Sequence, residues 1–153
     1  MQSPETWQAH LAESKTQFKN ANHLAYVTLT LLKENRLLVK ILTDLHQSAV
    51  HLIKAYLIYE SAQNKIKLTK DPMKNLNLFI ESVAPKYMAN EEIVTIIKIL
   101  KVAKQHKEAP LEFVKRDKFV IFNNGTYETL TADSIKILIS ILSKAISAFP
   151  VKT

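Results

Sequence analysis

Apolar residues recur at helical spacing through most of this chain. From Pro4 to about Lys33, the positions Trp7, Leu11, Phe18, Ala25, Leu29 and Leu32 form one stripe with polar residues between them, which predicts a long amphipathic first helix. Asn35 is the expected break. From about Leu37 to Gln63, the positions Leu38, Leu42, Leu45, Ala49, Leu52, Tyr56 and Tyr59 alternate steps of four and three, a heptad-like seam. Ile41, Ile53 and Leu57 widen that seam, while Lys40, Asp44, Gln47, His51 and Lys54 take the other side. So wide a stripe belongs to the helix with most neighbours, the centre of a bundle.

Residues 64–70 read as a polar connection. Asp71-Pro72 then reads as an N-cap followed by proline at the first helical position. The third helix carries Leu76, Phe79, Ile80 and Val83 and is expected to stop near Pro85. A fourth begins at the cap candidate Asn90, with Glu91 and Glu92 in its first turn and Lys104, His106 and Lys107 towards its end, the polarity that the helix dipole favours. Ile93, Ile96, Ile97 and Leu100 are its expected buried edge, and Ala109-Pro110 closes it.

Between Glu112 and Leu130 the period falls to two. Phe119-Val120-Ile121-Phe122 and Thr126-Tyr127-Glu128-Thr129-Leu130 flank Asn124-Gly125, a strong hairpin signal. Thr131 then caps a last helix with Asp133 in its first turn and an inner face of Ile135, Leu138, Ile139, Leu142 and Ile146. Ile137, Ile141 and Ala145 make a second apolar row. The expected fold is therefore mainly α: a four- to five-helix bundle with a β-hairpin near 118–130 and a final helix. With no repeat or linker in the pattern, residues 1–153 read as one domain.

Composition narrows the chemistry. The chain has a single glycine, in the hairpin turn. Glycine-rich phosphate loops, dinucleotide fingerprints and nucleophile elbows, which need several, are closed to it. There is no cysteine, so disulfides and thiolate sites are absent, in keeping with a reducing cytoplasm. The start of the chain shows no secretory pattern, and no apolar run reaches the roughly 20 residues that span a bilayer, so no membrane association is expected.

Candidate catalytic and metal-binding groups are sparse. His46 and His51 are five apart and diverge by about 140° on a helix. His10 and His23 also diverge, His106 stands beside lysines, and the carboxylates are dispersed. No metal, no cofactor and no enzymatic activity are expected. The net charge of +7 is concentrated: residues 98–118 hold Lys98, Lys101, Lys104, Lys107, Lys115, Arg116 and Lys118 against Glu108, Glu112 and Asp117, or +4 of the total. The bland reading of such a segment is a solvated face. The functional reading is a surface for an anionic partner, either RNA or an acidic protein. Tyr127, if it faces outwards, could stack on a base. Surplus apolar helix faces suggest a homodimer.

Two stretches carry a resemblance. Leu45-His46-Gln47-Ser48-Ala49-Val50-His51-Leu52-Ile53-Lys54-Ala55-Tyr56-Leu57 is similar to the central helix of HEPN-type four-helix bundles. The run from His106 to Ile121, followed by Glu128-Thr129-Leu130-Thr131 and a helix, resembles the C-terminal half of a group of small uncharacterised archaeal proteins. HEPN ribonucleases act through an R-x4–6-H motif completed across a dimer. Here Arg36 stands ten residues before His46 and no histidine follows Arg116, so the resemblance carries over no catalytic residue. It implies the bundle, a tendency to dimerise, and RNA as a favoured partner. The leading expectation is a non-enzymatic interaction module that uses segment 98–118. The alternative is a divergent HEPN-type ribonuclease in which Arg36, His46 and Lys54 meet at a dimer interface. A third possibility, a bundle with an apolar ligand pocket, has only helix amphipathicity behind it.

Overall fold

Asp71 and Thr131 show how local chemistry sets the helix starts. The Asp71 carboxylate accepts the backbone N–H groups of Met73 and Lys74, with Pro72 in the first turn. The Thr131 hydroxyl accepts from the Ser134 N–H, while the Ser134 hydroxyl accepts from Thr131 N–H, a reciprocal capping box. The computed structural model describes residues 6–151. The expectations placed on residues 1–5, a helix start at Pro4 and the lack of a secretory pattern, lie outside them.

Helix α1 runs over 7–32, and is built from Trp7–His23, a wide π-turn Leu24–Thr28 and a final turn Leu29–Leu32. It ends at Lys33, which takes the left-handed conformation (φ 53°), two residues before the expected break. Helix α2 spans Leu37–Ala62, and the expected seam is buried from Leu38 to Tyr56 with Ile41, Ile53 and Leu57, while its last member, Tyr59, is half-buried. Asp44, expected on the solvent side, is buried too and is held by Lys40 one turn earlier at 2.8 Å. Leu32, expected inside, is exposed at the end of the last turn of α1.

Helix α3 runs over 72–87 and ends two residues beyond Pro85, close to the expected stop, with the proline inside its last turn. A second π-turn, Phe79–Val83, precedes the proline, and the Ala84 N–H reaches back five residues to the Phe79 carbonyl. The proline, which lacks an N–H, then enters the renewed turn Ala84–Tyr87 at its start, where no donor is required. Helix α4 spans Asn90–Glu108 with Ala89, not Asn90, in the cap position. Its buried edge is Ile93, Ile96, Ile99 and Val102; Ile97 is exposed and Leu100 only half-buried, because the helix is rotated to face both α2 and the last helix.

The hairpin is the second half of a three-stranded antiparallel sheet of order β1-β2-β3, formed by Leu111–Lys115, Lys118–Asn123 and Thr126–Leu130. The β2–β3 turn has Asn124 at φ 53° and Gly125 at φ 77°, the two left-handed residues of a type I′ turn. β1 was not expected as a strand. Its turn into β2 is made by Arg116 in a left-handed conformation (φ 58°), a position with no glycine to announce it. Helix α5, Ala132–Ser147, buries the expected inner face. Ala145 of the second row is buried as well, whereas Ile137 is exposed.

Helix α2 touches α1, α3, α4 and α5 and is the centre of the bundle. Its contact with α1 is tightened by Ser14 and Ser48, each donating its hydroxyl to the other's backbone carbonyl at 2.8 Å. Ala21, Ala25 and Ala49 are also fully enclosed in the core, and small side chains of this kind let backbones approach. The Tyr56 hydroxyl donates to the Ala145 carbonyl, tying α2 to α5, and burial pushes its phenol well above the ordinary value. The sheet lies on the bundle through Phe119, Ile121 and Leu130. Among the described residues no helix is long and apolar enough to cross a membrane.

Candidate functional site

The seven cations of segment 98–118 are all exposed, and among the described residues none lies within ion-pairing distance of a carboxylate. They do not form one patch. On α4, Lys98, Lys101, Lys104 and Lys107 step by three, so the row winds about 180° round the helix from first to last. Strand β1 then carries the chain about 13 Å further at roughly 3.3 Å per residue before Lys115 is reached. Lys115, Arg116 and Lys118 thus form a second group at the far end of the sheet.

That second group gains neighbours that sequence spacing does not reveal. The Asn35 side-chain amide donates to the Arg116 carbonyl at 2.8 Å, which fastens the β1–β2 turn to the α1–α2 connection. Beside it lies a groove of about 400 Å³ with Ala25, Leu29 and Ala132 in its floor and Lys33, Arg116, Asp117 and Lys136 at its edge. The Lys136 ammonium also sits 4.9 Å from the centre of the Tyr26 ring, which the first π-turn leaves half in solvent. Lys33 and Lys136 belong to opposite ends of the sequence, so only the fold could add them.

Register sorts the sheet's side chains into two unlike faces. Directly paired residues share a face, so Phe119 and Leu130, which enter the core, bring Val114, Glu112, Ile121 and Glu128 to the inner side. Leu111, Phe113, Lys115, Lys118, Val120, Phe122, Tyr127 and Thr129 take the outer side. Both of the sheet's glutamates therefore face inwards, and the outer face carries no acid. Lys115 and Lys118 stand directly opposite each other across the first turn, an arrangement that repels in the absence of an anion. Tyr127 is outward-facing, as the stacking reading requires; it is 64% exposed, with its ring centre 4.9 Å from that of Phe122.

The histidines are less scattered than their spacing implies. Glu112 reaches from β1 to His106 in the last turn of α4, its Oε2 2.5 Å from Nδ1. His46 on α2 lines a pocket of about 230 Å³ with Thr43, Gln47, Ala103, His106 and Lys107. Burial, and then the Lys107 ammonium, hold the His46 imidazole below its ordinary value. His10 and His51 approach through their Nδ1 atoms at 2.9 Å, joining α1 to α2, a pairing missed because they lie 41 positions apart. Arg36, His46 and Lys54 are spread along about 27 Å of α2, so a single copy of the chain does not bring them together. Among the described residues no group of three histidine or acidic side chains is placed to hold a metal ion.

No protein-family model, curated protein or solved structure matches the chain.

Proposed function

We propose that this chain is a non-enzymatic, HEPN-like helical-bundle interaction module of the cytoplasm, and that its basic surface binds an anionic partner. The observation that carries the reading is the pairing of Lys115 with Lys118 across the turn Arg116-Asp117, with Lys33 and Lys136 around the adjoining groove. Two ammonium groups held opposite each other cost the isolated fold some stability, and a bound phosphate or carboxylate removes that cost. Lys98, Lys101, Lys104 and Lys107 extend the positive potential along α4 without fixing a geometry. A homodimer is part of the proposal, supported by an apolar patch on α1 in which Leu31 is 76% and Leu32 66% exposed beside Tyr26 and Val27.

The test is retention of labelled RNA at several salt concentrations, alongside solution mass. Binding that weakens linearly in log salt, without cleavage of the RNA, supports the module; a chain that retains neither RNA nor polyglutamate contradicts it. The ribonuclease reading rests better on His46, His106 and Lys107 around one pocket than on Arg36 and Lys54. Cleavage lost in His46→Ala would favour it.

A further inference from the structure

We propose that the outer face of the sheet is a stacking platform for single-stranded nucleic acid, with Phe113, Phe122 and Tyr127 receiving bases and Lys115 and Lys118 holding the backbone. The inference rests on the anionic-partner reading and names that partner.

Phe119, Ile121 and Leu130 on the inner face join the core; Leu111, Phe113, Phe122 and Tyr127 belong neither to the core nor to the half-buried shell packed against it. Strand register puts Leu111, Phe122 and Tyr127 in one row, Phe113, Val120 and Thr129 in the next, and Lys115 with Lys118 in the third. The face is therefore graded from aromatic and apolar to cationic over three rows. A polynucleotide offers the matching pair of chemistries, a flat π-surface on each base and a charge on each phosphate.

Charge segregation separates this partner from an acidic protein. Stacking is indifferent to sequence and needs exposed ring faces, which Tyr127 supplies at the rim and which Phe113 and Phe122, both half-buried, supply edge to centre. An acidic peptide would use the lysines and have little use for the adjoining rings of Phe122 and Tyr127, or for Phe113 one row away. A duplex has no exposed base faces to offer and would meet only the cations.

Fluorescence anisotropy with a fluorescein-labelled oligouridylate and the full chain tests the proposal. Tyr127→Ala should weaken binding between about five- and a hundredfold, the range for losing one base stack, while Tyr127→Phe restores it. The salt slope should be unchanged in Tyr127→Ala and should fall by about 0.7, the single-strand value for one phosphate contact, in Lys115→Ala and in Lys118→Ala. Tyr127 is largely exposed, so its truncation should cost no more than its cross-strand contact with Phe122, a shift of a few degrees in melting temperature, and a melt that stays cooperative serves as the folding control. If oligouridylate binds and Tyr127→Ala matches the wild type, the platform is wrong and the electrostatic surface stands. The platform also fails if duplex RNA competes as well as the single strand. If polyglutamate binds and oligouridylate does not, the partner is an acidic protein; if neither binds, the underlying reading goes as well.

Discussion

Glu112 and His106 join the strand to the helix across the Ala109-Pro110 turn, carboxylate oxygen to ring nitrogen. The contact ties the start of β1 to the end of α4. Glu112→Ala should lower stability by about 0.5–1.5 kcal/mol, the range for one hydrogen bond, and the melting temperature by a few degrees. A thermal melt of the variant checks this. Since the register relies on five β1–β2 residue pairs, the strand should survive.

Lys115 and Lys118 should show the opposite balance of stability and binding. Lys115→Thr removes a like-charge pair and favours a strand, so the free protein should gain about 0.2–1 kcal/mol in urea unfolding. The same variant should bind oligouridylate more weakly. A loss of stability would mean that the two ammonium groups do not repel in the folded state.

Glu60 links stability to acid. It is fully buried between the Lys86 ammonium at 2.6 Å and the Tyr87 hydroxyl at 2.7 Å. Burial alone would raise its pKa, but these two hydrogen bonds and the Lys86 charge outweigh it and hold the carboxyl below its ordinary 4.5. The Tyr87 phenol is correspondingly raised to about 12, by burial and by that carboxylate. A depressed folded-state value means that the stabilisation is complete above about pH 4.5 and is lost as pH falls through the lower folded value. Urea unfolding from pH 7 down to pH 3 should show that loss, and Glu60→Gln should flatten it. Lys86→Ala, which leaves the carboxylate hydrogen-bonded by Tyr87 but without its nearest ammonium, should cost about 1–3 kcal/mol.

Gly125 tests the β2–β3 turn in isolation. A Cβ there would meet nothing within 4 Å, so Gly125→Ala adds no clash, yet φ is +77°. The expected cost is about 1–2 kcal/mol from backbone conformation alone, read from denaturant unfolding.

Legibility in the sequence followed the range of the physics. Asp71-Pro72, Thr131 and Asn124-Gly125 act within a few residues, and their helix starts and turn fell where the residues indicated. The α2 seam was equally plain because burial on several sides leaves a wide stripe. The two-residue period is legible from Glu112, but it assigns no strand before the hairpin, because Arg116 takes its left-handed turn without a glycine to mark where β1 ends. Pro85 marks the end of α3 to within two residues, and the π-turn just before it, which no residue pattern announces, is what lets the last turn include the proline. For the site, the cations were visible in composition, but their division by β1 was not. Nor was the recruitment of Lys33 and Lys136, since both depend on strand pairing and helix packing across the whole chain.

Amide chemical-shift mapping of the full chain titrated with oligouridylate tests the central claim most directly. The account predicts that the shifts concentrate in residues 111–130, with Tyr127 and the Lys115–Lys118 turn foremost, while the buried Ser14 and Ser48 contact stays silent. Shifts centred instead on His46, His106 and Lys107, or none at saturating oligonucleotide, would contradict it.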